Sequence, residues 1–447
     1  MLSQAMMLML ILAADFSAQV SPSTGKPANV PAVVSTDTVR PIALLEAIDL
    51  ALKQASNYRA SQISEQIARE DVRQAQAAFF PKIAAQPNLI YTSPSLTGSR
   101  PRPPSYLGAN AIAEYQAVVN AAGEADISGR LKAVLKRSEA LVESARAGSE
   151  IAKRDLIQAV IEAYFSLALS TTQRRGAENN LASAIEFENN TRLQMEAGEV
   201  APVDLVRARL QTAARQDELE QSKTDETVNA DILRFFVGKP GLEPIAAVDL
   251  LTSMPADNEI ERYTEAETST RPEFAQFEAD RRAADQEAAA ARAERRPQFT
   301  YSVSGGFITD SLGPLPVRDH TGVQASIGLS IPLFDRGGSR SRETQANLRM
   351  QQAENSRLLA ERQFVQAFYT ARAQALSARD RIRKLGPTMT DAEQNVNASI
   401  ARYRAGEALI TEVVDAQNLL VTLRLSLYKA IFDYQTAKAR LLRAVGQ

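Results

Sequence analysis

The sequence predicts a mainly α-helical fold that carries a membrane-crossing β portion. It is built from a duplicated helix–strand–strand–helix unit with four strands per chain. Three observations predict it. First, the chain repeats itself at an offset of 208 residues, so that Glu196-Ala197-Gly198-Glu199 returns as Arg404-Ala405-Gly406-Glu407. Second, each half contains two stretches in which apolar spacing changes from helical to strict alternation, and each stretch is long enough to cross a bilayer at a tilt, about ten residues. Third, the rest reads as helices much longer than globular domains ordinarily use.

The N-terminus begins with an apolar run, Ala5 to Ala14, too short for a spanning helix, which takes roughly 20 residues. It fits the core of an export signal over about residues 1–20, although no Lys or Arg precedes Lys26. Residues 21–40 are rich in Ser, Pro and Thr and read as an extended arm. The first repeat then spans 41–238. A helical stripe starts at Ile42 with Leu45, Ile48 and Leu52, passes Val72 and stops at Pro81. Alternation follows, with strands expected at about 83–92 and 108–120, separated by a Pro- and Ser-rich loop. In the second of these, Ala113, Tyr115, Ala117 and Val119 alternate with Glu114, Gln116 and Asn120.

Gly238-Lys239-Pro240-Gly241 ends a helix and opens a linker over 239–262. The second repeat, 263–447, resumes helix at Arg271-Pro272-Glu273. Its strands are expected at about 298–308 and 321–333. Phe299, Tyr301, Val303, Gly305 and Phe307 share one face of the first, and Val323, Ala325, Ile327, Leu329 and Ile331 one face of the second. The opposite faces are small and polar. From Ser339 to Leu385 there is neither Pro nor Gly, a run of roughly 70 Å as helix. Val413, Ala416, Leu420, Leu423, Leu427, Ala430, Tyr434, Ala437 and Leu441 then form a heptad seam. A second stripe beside it (Ile410, Val414, Val421, Leu425, Tyr428) implies neighbours on two sides.

Composition removes most function classes. Lys and Arg number 51 against 53 Asp and Glu, which gives no basic face for nucleic acid. The chain has no cysteine and one histidine, His320 in a loop rich in Pro and Gly, so thiolate chemistry and a multi-His metal site are excluded. No nucleophile, cofactor motif or phosphate loop points to an enzyme, and neither a metal nor a cofactor is expected.

Taken in order, Arg271-Pro272-Glu273, Arg296-Pro297-Gln298-Phe299, Ser330-Ile331-Pro332-Leu333-Phe334-Asp335-Arg336-Gly337-Gly338, Tyr403-Arg404-Ala405-Gly406-Glu407 and Glu412-Val413-Val414-Asp415-Ala416 resemble the TolC-type outer-membrane efflux proteins. The resemblance covers the chain from about residue 40. It implies a homotrimer in the bacterial outer membrane, with a twelve-stranded β-barrel continued by a long periplasmic α-helical barrel. A periplasmic adaptor and an inner-membrane pump would complete an efflux or type I secretion machine, with outer-membrane lipid around the barrel. The physics agrees, because four strands cannot close a barrel and three copies give an even number.

The resemblance also implies a periplasmic aperture formed by Asp204, Glu412 and Asp415, with Tyr403 as a brace. The turn glycines Gly198 and Gly406 would receive the adaptor. Two departures stand out: Glu412 replaces a common aspartate, and Ala408 stands where well-known members carry a gate arginine. The segment from Ile331 to Gly338 is reminiscent of the heavy-metal-exporting branch, but drug, metal and protein conduits share this scaffold. Two other classes remain open at this point, a periplasmic adaptor and a soluble coiled-coil scaffold. The paired strands inside each half argue against both.

Overall fold

Two edges of one small sheet and two 67-residue helices set the architecture. A computed structural model describes residues 41–54, 56–93, 113–239, 246–247, 255 and 258–446. The expected signal, the N-terminal arm and most of the linker lie outside them. Helices α1 (Leu44–Lys53) and α2 (Asn57–Ala77) lead into β1 (Lys82–Tyr91). Strand β2 (Ala113–Ala125) leads into α3 (Arg130–Glu196), which turns back as α4 (Pro202–Val237). A 3₁₀ turn, Glu265–Thr270, opens the second half: α5 (Pro272–Ala293), β3 (Gln298–Thr309), short α6 (Pro314–Asp319), β4 (Thr321–Ser330), α7 (Gly338–Arg404) and α8 (Ile410–Ala444).

The duplication is carried into three dimensions. Helices α3 and α7 start and end 208 positions apart, and left-handed glycines bracket the long helices at Gly129 and Gly337, Gly198 and Gly406, Gly238 and Gly446. Each long helix reaches about 100 Å. Ahead of the hairpins the offset is 216, from Ala77 to Ala293, so the extra residues of the first half lie in its hairpin connection.

The strands form one antiparallel sheet in the order β1-β2-β3-β4. The register keeps odd-numbered residues together on one face throughout: Leu89 lies opposite Tyr115, Ala117 opposite Phe307, and Tyr301 opposite Ile327. That face carries the apolar side chains. The even face carries Gln86, Asn120, Ser304, Gln324 and Ser326, with Ser302 and Ser326 hydrogen-bonded at 2.7 Å. Every residue of β1 and β4 is exposed, and Val323 and Ile327 reach 80% and 85%. A strand alternating this way suits lipid on one side and water on the other.

Several elements depart from expectation. The first helix breaks after Lys53, where Gln54 turns extended and the Ser56 hydroxyl caps α2 by accepting from the Arg59 N–H at 3.3 Å. Strand β2 runs on to Ala125, because its ladder with β3 continues to the Ala125–Phe299 pair. Its expected start, residues 108–112, lies outside the described residues. Strand β4 stops at Ser330, before Pro332, which lacks an N–H for the ladder. The loop around His320 contains α6, and the His320 Nδ1 lies 2.9 Å from the Pro316 carbonyl. Helix α7 passes over Gly386-Pro387 without ending.

The main core joins α1, α3, α4, α7 and α8 through Val160, Leu167, Leu233, Phe368, Ile431 and Leu441. Helix α8 does have neighbours on two sides, α7 and α3. Beside this core, Glu273 accepts from Arg271 at 2.5 Å and from Arg443 at 2.8 Å, and Arg443 also reaches Asp155. The Arg271 guanidinium lies over the Phe364 ring, 3.8 Å from its centroid. Burial alone would push the Glu273 carboxyl up, but the hydrogen bonds from Arg271 and Arg443 outweigh it and hold the carboxyl at about 2.

Two outcomes follow. A Cβ at Gly306, whose φ is +152°, would lie 2.0 Å from the Ala117 carbonyl oxygen, whereas its cross-strand partner Gly322 has open space. Gly306→Ala is expected to disrupt the β2–β3 ladder and lower the β signal in circular dichroism of the purified protein, and Gly322→Ala to retain it. For the buried triad, the lowered Glu273 value means its stabilisation is complete above the ordinary carboxyl value of 4.5 and is lost as pH falls towards about 2. Glu273→Gln should remove that acid sensitivity and cost about 3–5 kcal/mol by stranding buried guanidinium charge, measured by circular-dichroism melts across pH 2–7.

Candidate functional site at the helix tips

The two long hairpins end in turns of identical build. At the α3–α4 turn the Gly198 N–H donates to Met195 O and the Glu199 N–H to Gln194 O. At the α7–α8 turn Gly406 donates to Tyr403 O and Glu407 to Arg402 O. This paired pattern, with the glycine in a left-handed conformation (φ 78° and 74°), is the Schellman motif. Nothing lies within 4 Å of a Cβ added at either glycine, so backbone conformation rather than space selects the residue. Pro202 and Ile410 start the returning helices.

A small apolar cluster holds the two tips together. Phe187 and Ala208 come from the first half, and Tyr403, Ile410 and Val413 from the second. The rings of Phe187 and Tyr403 stand 5.7 Å apart at 50°. Among the described residues the buried Tyr403 hydroxyl finds no hydrogen-bond partner in good geometry; Thr191 beside it donates to the Phe187 carbonyl at 2.9 Å. Burial, with the nearby Asp204 carboxylate, pushes the Tyr403 phenol up.

The three acids occupy different surroundings. Asp204 sits in the first turn of α4, where the helix dipole favours a negative charge, and lies 3.8 Å from Arg207. Glu412 occupies the matching first turn of α8 and pairs with Arg402 at 3.0 Å. Arg402 also donates to the Glu407 carbonyl, so it straps the turn shut. Asp415 is exposed and has no ion pair among the described residues; it lines a groove between α4 and α8 with Arg207, Leu210 and Val414. The structure thus gathers Tyr403 and Asp204 at one place and hands Glu412 an arginine from α7.

Sequence reasoning missed Arg402, Phe187 and Arg207. Arg402 stands four residues before Gly406, and only the reversal of the chain brings it to Glu412. Phe187 matches no motif; its one signal is an aromatic residue eleven positions ahead of the turn glycine.

Above the tip cluster the two hairpins part around a polar cavity of about 670 Å³, lined by Asn180, Asn397, Gln211, Gln417 and Arg424 among others. Gln211 donates to Gln417 at 2.5 Å and Arg424 to Asn180 at 3.2 Å across it. The hairpins are therefore joined by an apolar core at one end, an apolar clasp at the tip, and hydrogen bonds between.

Comparison with known proteins places this geometry. Residues 47–239 and 265–447 match the family described as outer membrane efflux protein. Protein CyaE of Bordetella pertussis is 25% identical over 445 residues, covering 97% of this chain and 89% of CyaE. The cobalt-zinc-cadmium resistance protein CzcC of Cupriavidus metallidurans is 25% identical over 332 residues, 72% of this chain and 75% of CzcC. The solved structure of CusC superposes with a TM-score of 0.80 at 20% identity, covering 96% of this chain and 99% of CusC.

The tip clasp gives a direct expectation. Phe187→Ala should speed hydrogen exchange at residues 187–205 and 403–415, because it removes the ring that joins the hairpins. Tyr403→Phe should change exchange far less, since the hydroxyl makes no well-formed hydrogen bond among the described residues. Faster exchange in Tyr403→Phe with none in Phe187→Ala would show that the hydroxyl, not the Phe187 ring, closes the tip.

Proposed function

The chain belongs to the outer membrane efflux protein family, and on that premise we propose that three copies close one twelve-stranded barrel and extend it as a helical tunnel through the periplasm. The protein is an outer-membrane channel of efflux or secretion systems, and its family works in tripartite systems with a periplasmic adaptor and an inner-membrane pump. The proposal adds the homotrimer, the lipid-facing odd face of the strands, and passive conduction without a catalytic step. The single observation that carries it is the sheet: antiparallel, amphipathic in register, and open at both edges among the described residues. In lipid no water can satisfy the edge backbone groups, so another strand must.

The helix tips are the aperture in this reading. Asp204, Glu412 and Asp415 would be presented around the threefold axis, with Tyr403 and Phe187 as the clasp between the fixed and moving hairpins. The turns at Gly198 and Gly406 would be the surface the adaptor meets. Prying the α7–α8 hairpin outward breaks the small tip cluster and a few hydrogen bonds, while the main core stays packed. The Arg402–Glu412 pair is half exposed and adds little against opening. Because Glu412 has its own arginine, Asp415 supplies most of the uncompensated negative charge at the pore. The cargo is left at the class the family name carries; a cation such as those in the CzcC name and a larger solute both fit a conduit of this kind.

Single-channel recording of the purified protein in planar bilayers tests the assignment. Asp415→Ala is expected to reduce the cation-over-anion permeability ratio several-fold, and Glu412→Ala to change it less. An unchanged ratio in the double variant would falsify the acidic aperture.

A further inference from the structure

The two halves of the chain meet at the β2–β3 ladder, and the turns flanking it are bonded to each other. Arg296, in the α5–β3 turn, donates to the Ser128 carbonyl of the β2–α3 turn at 2.9 Å, and Ser128 also donates to Gln298 at 3.1 Å. This contact stands at the end of the sheet from which the long helices depart. The repeat supplies its counterpart. At the 216-residue offset, Arg295-Arg296-Pro297 corresponds to Phe79-Phe80-Pro81 in the α2–β1 turn, and the β2–α3 turn corresponds to the β4–α7 turn.

Those two counterpart turns lie at opposite edges of the sheet and cannot meet within one chain. Both are conspicuously apolar and bare. Phe80 is 70% exposed in the first, while Leu333 and Phe334 are 92% and 83% exposed in the second. Such side chains projecting from turns are costly in water and need a cover. When β4 of one copy pairs with β1 of the next, antiparallel order brings the end of β4 beside the start of β1.

We propose that Leu333 and Phe334 of each copy pack against Phe79 and Phe80 of the next copy, forming an apolar seam where the barrel passes into the helical tunnel. The proposal rests on the homotrimer reading. It deepens that reading by assigning an apolar contact between copies to the two turns that correspond to those joined by Arg296 and Ser128 within a copy. The substitution of phenylalanines for arginines has a physical logic: a contact inside one chain is held by its covalent frame, whereas a contact between chains needs buried apolar area to hold it. The seam also closes the junction to water at the level where the strands end.

The chain has neither cysteine nor tryptophan, so single probes report cleanly. The full chain carrying Phe80→Cys with Phe334→Cys, and separately Phe80→Cys with Leu333→Cys, is oxidised in native membranes. The expected result is loss of the monomer band to covalent dimers and trimers with at least one pair, and no ladder with any single variant. In a second measurement, Phe334→Trp is placed in liposomes of brominated phospholipid; a residue buried in the seam gives blue-shifted emission that the bromines do not quench. Quenched emission together with absent cross-links would overturn the seam and assign Leu333 and Phe334 to the lipid. The mass of the unaltered protein in detergent separates the two levels: a trimeric mass with those results defeats only the seam, whereas a monomeric mass defeats the trimer reading beneath it.

Discussion

Backbone groups on the outer edges of β1 and β4 have no strand partner among the described residues, and hydrocarbon cannot provide one. The rest of the molecule is arranged around this constraint. The register holds one apolar and one polar face across all four strands, which is useful only if the sheet separates lipid from water. The sheet cannot curl shut alone, since four strands enclose no interior. In the proposed trimer those edges are met by β4 of one copy beside β1 of the next, and the twofold repeat within the chain supplies a geometry that can continue in this way.

The helices answer a different requirement. In the proposed reading the tips open, and a continuous apolar core would resist separation along the whole length of the hairpins. Here the core sits near mid-length of the two long helices, among Val160, Leu167, Phe368, Ile431 and Leu441, about 45 Å or more along α3 and α7 from their sheet ends. The triad of Arg271, Glu273 and Arg443 pins α5 to α8 beside it. Beyond it the hairpins are separated by a polar cavity and rejoined by five buried residues at the tip. The mid-length core thus carries most of the burial, and the tips are fastened by a smaller cluster.

Much of this was legible in the sequence. The 208-residue repeat, the alternation of Phe299 to Phe307 and Val323 to Leu329, and the double seam of α8 each emerged from spacing alone. Gly198 and Gly406 announced turns because few other residues tolerate a left-handed backbone there. Spacing misjudged places where local chemistry overrides periodicity. The hydroxyl of Ser56 starts a new helix inside an apolar stripe that runs through it, and Pro387 stands within a helix whose neighbours hold it in place.

The sequence by itself determined period, repeat and element type, since these depend on residues three, four or two positions apart. Only the tertiary structure decided which groups meet across long separations. Arg402 finds Glu412 because the chain reverses at Gly406, Phe187 finds Tyr403 because two hairpins lie side by side, and Arg296 finds Ser128 because β2 pairs with β3. Such contacts depend on the path of the backbone through space, and linear spacing carries no record of that path.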